Sequence, residues 1–233
     1  MGAAVGAVLR GQGHRVLWAS DGRSAETRAR ADEAGLEDVG SVSQVAEADV
    51  VFSVCPPHAA LEVAQSARFA GVYVDANAVS PATAAKVSDV VEEFVDGGIV
   101  GSPPREPGTT RLYLSGERAA DVAELFTGSV LDARVVSNAS AVKMAYAAWT
   151  KGTAAMLLAI RELARREGVE EPLLAEWDLS RPELRDRHAR ALCSAEAKGW
   201  RWVGEMEEIA ATFEADGLPG GFHRAAAEVY RDR

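Results

Sequence analysis

Cysteine is scarce in this chain of 233 residues, which contains only Cys55 and Cys193. Two cysteines cannot build a disulfide scaffold, so the sequence predicts a protein of the reducing cytoplasm. Long apolar runs are also missing, because the longest candidate, 145–160, contains Thr150 and Lys151. The N-terminus lacks the basic, apolar and cleavage regions of an export signal. We therefore expect a cytoplasmic protein without a membrane partner.

Basic residues are fewer than acidic residues in this chain. The sequence contains 25 Lys and Arg against 35 Asp and Glu, which gives a net charge of −10 and an isoelectric point near 5.0. Such a surface repels phosphate backbones and anionic lipid, so nucleic acid is not expected as a partner. Metal-ligand spacing is missing from the four histidines, which are His14, His58, His188 and His223. The sequence therefore predicts no metal site.

The first 137 residues alternate short β-branched runs with Ala-rich helical stretches. The predicted strands are 15–20, 49–54, 72–75, 111–115 and 133–136. The predicted helices are 25–34, 58–69, 81–94 and 117–126. This alternation is typical of βαβ units, so we predict a doubly wound, Rossmann-like α/β domain with a parallel sheet over residues 1–137.

The strand signal stops after Val136, and residues 138–233 are predicted to form an all-helical domain. A helix over 138–166 carries one stripe at steps of three and four, made of Val142, Tyr146, Trp149, Thr153, Met156, Ile160 and Leu163. Further helices are predicted at 182–198, 200–215 and 219–231, with Gly199 as a break. Because the stripe covers about seven turns, more than a small domain can bury, we expect a homodimer in which the helical domains pack together.

The chain opens on a helix instead of a strand. A doubly wound dinucleotide-binding domain normally begins with its central strand and a Gly-rich turn, and here Gly2 matches only the last glycine of that turn. The later Gly11-Gln12-Gly13 lies between a helix and a strand, so a helix C-cap is the favoured interpretation. Loss of a central strand would leave its two neighbours without hydrogen-bond partners. We expect either a chain that extends upstream of Met1 or a sheet repaired by an unusual arrangement.

Six short segments carry motifs in a fixed order. They are Met1-Gly2, 13–18, 54–57, 75–81, 97–102 and 138–143. In this order they resemble the β-hydroxyacid dehydrogenase and 6-phosphogluconate dehydrogenase-like superfamily: its phosphate-binding turn, second strand, segment beside the nicotinamide, substrate loop, glycine-rich segment and the start of its interdomain helix. The resemblance covers nearly the whole chain. It implies a nicotinamide cofactor, a small-molecule substrate and a branch with a distinctive all-helical C-terminal domain.

Lys143 stands where this family keeps its catalytic lysine, so the resemblance implies that it acts as the general acid/base. Hydride transfer to a carbonyl, or from an alcohol, requires a group that gives or takes the hydroxyl proton. The first turns of a helix disfavour a cation, and burial acts in the same direction, so we expect a lowered pKa for this amine. The alternative is a surface lysine that extends from the helix.

The substrate loop also departs from the family, because Asn77 replaces the usual Ser. The resemblance implies a catalytic and substrate-orienting role for its amide, whereas a turn residue is the plainer alternative. The resemblance further implies substrate contacts for Ser80, Ser102 and Tyr146. Asn77 and Ser80 follow a predicted strand, and ligands of α/β sheets bind outside the carboxyl ends of strands.

The choice of cofactor depends on the loop after the second strand. An acid such as Asp21 favours NAD, whereas an Arg with hydroxyls favours NADP. Arg23-Ser24 matches the family's phosphate-binding pattern, so NADP is predicted, with NAD as the alternative. The predicted cofactor contacts are Gly2, Ser20, Arg23, Ser24, Cys55 and Pro56.

These features predict an NADP-dependent oxidoreductase that transfers a hydride between the nicotinamide and a hydroxy acid or a related alcohol/carbonyl substrate. Ala147 stands where the family has an Asn one turn beyond its lysine. Reduction of an imine or enamine tolerates that change and is the close alternative. A non-catalytic nucleotide-binding or scaffold protein is the hypothesis from another class, motivated by the missing first strand and by Ala147. The substrate itself is not identified by the sequence.

Overall fold

The computed structural model describes residues 1–67 and 69–231 and divides the chain into two compact units. The first unit is Met1–Lys143, and the second begins at Met144. Every strand of the described chain lies in the first unit, whereas the second is helical. This parallel-dominated sheet with flanking helices, followed by a helical region, confirms the predicted fold class. Within the described residues, no helix has both the length and the apolar character required to cross a membrane.

Helices and strands alternate through most of the first unit. In chain order they are α1 (Gly2–Gly11), β1 (Leu17–Trp18), α2 (Ala25–Glu33), β2 (Glu37–Asp38), β3 (Val50–Ser53), α3 (Ala60–Ala67), β4 (Val72–Asp75), α4 (Pro81–Ser88), β5 (Glu93–Gly101), β6 (Thr110–Ser115), α5 (Ala119–Glu124) and β7 (Leu131–Val135). The helix α6 (Ala139–Arg166) begins in this unit and continues into the second. The remaining helices are α7 (Glu170–Ser180), α8 (Glu183–Ala215) and α9 (Gly221–Arg231).

The described strands form two separate sheets. Strands β1 and β2 pair in parallel, and the other sheet has the order β3-β4-β5-β6-β7. Its pairs are parallel except for β5 and β6, which are antiparallel. The sequence-based prediction of a helix over 81–94 is wrong beyond Ser88, because Glu93–Gly101 forms β5. The pair Gly97 and Gly98 lowers strand propensity in this segment, which hid the strand from pattern analysis.

Helix α1 packs against both sheets. A methyl group at Gly6 would lie 2.9 Å from Leu36 and 3.4 Å from Val16, which adjoin β2 and β1. A methyl group at Gly2 would lie 3.5 Å from Val54, directly after β3. Side-chain packing of α1, and not strand pairing, therefore joins the two sheets within the described residues.

The second unit differs from the sequence-based prediction at one helix boundary, and it contains one helix that was not predicted. Gly199 lies buried inside α8, so the predicted break at that position is wrong. A glycine inside a helix costs only about 1 kcal/mol relative to Ala, which close packing around a residue without a side chain can offset. Helix α7 was not predicted, because only Leu174 and Trp177 are buried and the hydrophobic periodicity is too short to detect.

A buried ion pair joins α6 to α8 in this second unit. Lys151 Nζ lies 2.5 Å from Glu205 Oε1, and the two side chains are only 15% and 9% exposed. The same ammonium lies 5.9 Å from the centre of the Trp202 ring. The backbone carbonyl of Lys151 accepts a hydrogen bond of 2.6 Å from the Tyr230 hydroxyl. One turn of α6 therefore anchors both α8 and α9.

Substitution of Lys151 tests how much this ion pair contributes to the free energy of unfolding. Lys151→Met should lower the free energy of unfolding by about 3 kcal/mol, because it leaves the Glu205 carboxylate buried without its counter-charge. The double variant Lys151→Met/Glu205→Leu should recover most of that loss. Urea denaturation followed by circular dichroism measures both. Asp178→Ala, which breaks the exposed pair with Arg185, is the control and should cost less than about 1 kcal/mol; an equally small loss for Lys151→Met would contradict the prediction.

Candidate functional site

Four polar side chains form one row across neighbouring strands of the larger sheet. Ser53 of β3 pairs with Asp75 of β4, which pairs with Asp96 of β5, which pairs with Ser115 of β6. Residues paired in register share a face of the sheet, so we name these four the polar row. All four are buried. Strands β3 and β4 end at this row, which places it at the sheet edge where ligands of α/β folds bind.

Asn77 lies against the β3 and β4 side of the polar row and is buried. Its backbone N–H donates to Asp75 Oδ1 at 2.9 Å, and its Nδ2 donates to Ser53 Oγ at 2.9 Å. Its Oδ1 accepts a 2.5 Å hydrogen bond from the backbone N–H of Cys55. The carboxamide therefore ties the segment after β4 to the segment after β3. A direct contact between this amide and a substrate stays a prediction.

The other side of the polar row holds the start of α6. The backbone N–H of Ala139 donates to Ser115 Oγ at 2.9 Å, and that of Ser140 donates to Asp96 Oδ2 at 2.7 Å. The Ser115 hydroxyl also donates to Asp96 Oδ2, at 3.1 Å. The row therefore contacts both the segment after β4 and the helix that carries the predicted catalytic lysine.

Lys143 lies one turn after Ser140 on α6 and is half-buried. Its Nζ donates a 2.8 Å hydrogen bond to the carbonyl of Ile99 on β5. A lysine ammonium has three N–H donors, and this carbonyl takes one of them. The structure thus places Lys143 against the part of β5 that continues beyond its pairing with β4. Its catalytic role stays a prediction.

Two glycines of β5 permit these close approaches. A methyl group at Gly97 would lie 3.0 Å from the carbonyl oxygen of Asp75. At Gly98 it would lie 2.8 Å from the carbonyl oxygen of Ala139 and 2.9 Å from Lys143 Cβ. Any larger residue would push one of these segments away. The glycine pair therefore brings the Asn77 segment and the Lys143 helix to the same stretch of β5.

The loop after β1 contains three of the predicted cofactor residues. Ser20 is buried, and hydrogen bonds from the Gly40 N–H and from the Ser20 hydroxyl hold the pKa of Asp38 below its usual value. Ser24 is exposed and caps α2, since its hydroxyl accepts from the Thr27 N–H at 3.3 Å. Ser20 and Ser24 thus have structural contacts of their own. Their contact with a cofactor stays a prediction.

Arg23, Cys55, Pro56 and Gly2 are the remaining predicted cofactor contacts. The Arg23 guanidinium is exposed, and no hydrogen bond or ion pair of this group occurs within the described residues. Burial raises the pKa of Cys55, and weaker opposing effects come from the Ser53 hydroxyl and from the positive charge of Arg23. Cys55 is therefore a neutral thiol near the end of β3 and not an activated nucleophile.

These residues fit a dinucleotide in their chemistry. The first turn of α1 begins at Gly2 beside the end of β3, and a helix N-terminus favours phosphate. The exposed cation of Arg23 follows β1, where a 2′-phosphate is bound in related folds. Pro56 and the neutral Cys55 offer an uncharged surface after β3, as a nicotinamide ring requires.

The predicted substrate contacts fall in different places. Ser80 is buried and caps α4, because its hydroxyl accepts from the Thr83 N–H at 3.2 Å. Ser102 is exposed directly after β5, and its carbonyl accepts from the Thr110 hydroxyl at 2.5 Å. Tyr146 lies in the second unit and is exposed. Ser80 and Ser102 thus share the unit of Lys143, and all three contacts stay predictions.

Asp96 and Ser115 were not predicted as site residues, although they hold the start of α6. Their importance depends on the register of β5 and β6, and β5 was not predicted as a strand. The available signal was a single acidic residue inside an otherwise uncharged segment, 94–102. An isolated acid in such a run is buried, and a buried carboxylate requires hydrogen-bond donors.

Two parts of the chain match known sequences. Residues 164–232 match a domain of unknown function, DUF1932. An uncharacterized 28.5 kDa protein in the 7S RNA 5′ region of Methanothermus fervidus is 32% identical over 161 residues. That match covers 66% of this chain and 63% of the relative, so the chain spans less than two thirds of this curated protein.

Two solved structures resemble the chain over almost its whole length. A conserved hypothetical protein from Sinorhizobium meliloti 1021 is 30% identical, with 98% of this chain and 84% of that chain covered and a TM-score of 0.67. The conserved protein MTH1747, of unknown function, is 28% identical, with 99% and 92% covered and a TM-score of 0.69. The structure of MTH1747 is described as similar to 3-hydroxyacid dehydrogenases.

Gly98→Ala tests the close approach of α6 to β5. The added methyl group would overlap the Ala139 carbonyl and the Lys143 side chain, so the variant should lose about 2 kcal/mol of unfolding free energy. Backbone amides at the start of α6 should exchange hydrogen faster. Gly204→Ala, in α8 with open space around it, is the matched control and should gain about 0.5 kcal/mol. Wild-type stability and exchange in Gly98→Ala would show that the two elements are not in close contact.

Proposed function

Because the chain belongs to the β-hydroxyacid dehydrogenase-like superfamily, we propose that it is an oxidoreductase that transfers a hydride between a nicotinamide cofactor and a hydroxy acid or related carbonyl compound. The observation that carries this proposal is the position of one amine. Lys143 Nζ donates to the Ile99 carbonyl on a strand that also borders the Asn77 segment. It is a proton-bearing group at the ligand-binding edge of a parallel-dominated sheet.

In this proposal Lys143 moves the proton that accompanies the hydride. The nicotinamide, when bound, supplies or accepts the hydride. During reduction the ammonium of Lys143 donates a proton to the substrate oxygen as that oxygen gains negative charge, and during oxidation the neutral amine takes the proton back. The Ile99 carbonyl orients Nζ by accepting one of its hydrogens. Partial burial excludes water and strengthens this charge interaction.

Asn77 contributes by fixing the backbone beside Cys55. Its Oδ1 accepts from the Cys55 N–H and its Nδ2 donates to Ser53, so the end of β3 and the loop after β4 form one rigid edge. A rigid edge holds a substrate near its reactive geometry at no further entropic cost. We assign Ser80 and Ser102 to the same edge and keep Tyr146 as a proposed substrate contact.

NADP is the cofactor that the exposed loop after β1 favours. Arg23 offers an exposed guanidinium, and Ser24 places a hydroxyl directly beside it. A guanidinium binds a 2′-phosphate through paired hydrogen bonds, whereas NAD offers it no anion at that position. We propose Gly2, Ser20, Cys55 and Pro56 as the other residues that line the cofactor.

Imine reduction on the same scaffold is the second candidate. One turn beyond Lys143, α6 carries Ala147, which is buried and has no hydrogen-bonding side chain. A carbonyl oxygen that gains negative charge benefits from a second donor at such a position. An iminium carbon that is already activated by a proton on nitrogen does not require that donor. A substrate panel with both carbonyl compounds and cyclic imines separates the two reactions.

Lys143→Met tests the proposed proton transfer. With NADPH and a panel of hydroxy acids, aldehydes and cyclic imines, the variant should lose about 10²- to 10⁴-fold in kcat on any substrate that wild type turns over. The Kd for NADPH, measured by fluorescence, should stay within about twofold, since the amine binds no phosphate. Lys86→Met, an exposed lysine on α4, is the control and should match wild type. Unchanged turnover in Lys143→Met would remove this lysine from the mechanism.

A homodimer is the assembly that the surface of α6 favours. Tyr146, Trp149, Met156, Ile160 and Leu163 are all exposed at helical spacing, with Trp149 63% and Leu163 61% exposed. The row from the first to the last of them is about 26 Å long. The charged side chains of this stretch that have described partners, Lys151, Arg161 and Glu162, bind within their own chain. A second copy supplies the same uncharged stripe through a twofold axis, as the centre of an interface of about 800 Å² per partner.

Trp149→Glu tests this dimer. The variant places a charge at the most exposed side chain of the stripe, so it should shift the protein from dimer to monomer at micromolar concentration. Analytical ultracentrifugation measures the mass of each species. Leu179→Glu, on α7 and 84% exposed, is the matched control and should remain dimeric. A wild-type protein that sediments as a monomer would refute the proposed assembly.

A further inference from the structure

We propose that Asp96 is the positioning residue of Lys143. In this proposal the Asp96 carboxylate, together with the Ser115 hydroxyl, holds the first turn of α6 against β5 and so determines where the Lys143 amine lies. The inference rests on the proposed function, since the position of the amine matters for catalysis only if the amine exchanges a proton with the substrate. No contact between Asp96 and substrate is invoked.

The first turn of α6 has an ordinary local cap. A helix leaves its first four N–H groups without partners inside the helix. Asn138, directly before α6, accepts from the Ala141 N–H through its side-chain Oδ1 at 2.8 Å and from the Val142 N–H through its backbone carbonyl at 3.3 Å. The Asn138 side chain thus satisfies the unpaired Ala141 N–H, whereas the Val142 bond is the first hydrogen bond inside the helix. These contacts stabilise the helix but do not attach it to the sheet.

Two more of the unpaired N–H groups of this turn bind residues that are distant in sequence. The Ala139 N–H donates to Ser115 and the Ser140 N–H donates to Asp96, across 24 and 44 positions of the chain. Asp96 is more than nine-tenths buried and lies in the middle of the polar row. These hydrogen bonds are therefore links between the helix and the sheet, and capping alone does not require them.

The two links lie close to the lysine. Ser140 and Lys143 are three residues apart, so they occupy one face of α6. Along β5, Asp96 precedes by three residues the Ile99 carbonyl that accepts from Lys143 Nζ. Between them, Gly98 allows Lys143 Cβ to touch the strand. Strand β5 thus binds the first turn of α6 through Asp96 and the Lys143 amine, one turn later, through the Ile99 carbonyl.

The charge of Asp96 adds to this geometry. A carboxylate at the N-terminus of a helix interacts favourably with the positive end of the helix dipole. Asp96 Oδ1 is buried without a hydrogen-bond partner in the described residues, and the hydrogen bonds from Ser115 and Ser140 both reach Oδ2. The negative charge therefore acts on the first turn of α6, within one turn of the ammonium.

Lysine labelling tests the inference without requiring any activity. The chain has four lysines, Lys86, Lys143, Lys151 and Lys198. Trace acetylation with acetic anhydride, read by mass spectrometry, gives the rate at Lys143 relative to the exposed Lys86. Asp96→Asn and Ser115→Ala should each raise this ratio by about threefold, because the amine leaves the Ile99 carbonyl more often. Unchanged ratios in both variants would overturn the proposal.

Asn138→Ala is the matched control, because it removes a cap of the same helix turn without cutting a link to the sheet. It should lower thermal stability about as much as Ser115→Ala but leave the Lys143 labelling ratio at its wild-type value. An equal rise of the ratio in Asn138→Ala would show that helix stability alone matters, which also overturns the proposal. If Asp96→Asn does not fold, the Lys143 labelling ratio in Ser115→Ala, which removes only one hydroxyl, decides whether the polar row positions the amine.

Steady-state kinetics supply the second readout. On a substrate found in the NADPH panel, Asp96→Asn should lower kcat by about 10- to 100-fold and leave the KM for NADPH within about twofold. A loss confined to KM for NADPH would contradict a positioning role. If wild type consumes NADPH with no compound in the panel, the proposed function fails, whereas the labelling ratios still decide whether Asp96 positions the amine.

Discussion

The polar row is the constraint on which the rest of the first unit depends. Ser53, Asp75, Asp96 and Ser115 occupy one register across four strands and are all buried. Buried polar groups destabilise a fold unless they have hydrogen-bond partners. The partners here are the backbone and side chain of Asn77 and the first N–H groups of α6. Satisfying the row therefore fixes the two segments that border the candidate site.

Strand β5 lies in close contact with both of these segments. Its two glycines admit backbone from both sides at about 3 Å, and its continuation beyond β4 offers the Ile99 carbonyl to Lys143. Gly97 and Gly98 lower the strand propensity, and antiparallel pairing of residues 96–101 with β6 stabilises this part of the strand. The position of the amine is thus a consequence of sheet register and does not depend on any mobile loop.

The sequence predicts the lysine of the candidate site, but it does not predict strand β5, on which the position of that lysine depends. Lys143 is predicted as a site residue because the motif 138–143 and the periodicity of the helix that follows it are both local signals. Strand β5 is missed because glycines and acidic residues mask the β pattern, and without it the pairing of Asp75 with Asp96 cannot be inferred. The contacts of α1 with both sheets, at Gly6 and Val54, are side-chain packing, which no periodicity encodes. Register and close approach are relations between segments, so one segment alone does not reveal them.

The same contacts explain why several expected ligand residues have other partners. Ser80 and Ser24 cap helices, and the amide of Asn77 holds the end of β3. Small polar residues after strands satisfy the backbone of the next element, which is why they occur there whatever the ligand. Lys143 is different, because a long cation is not needed to support the Ile99 carbonyl and is costly to hold half-buried. In the proposed function, this amine supplies or takes the proton that accompanies the hydride.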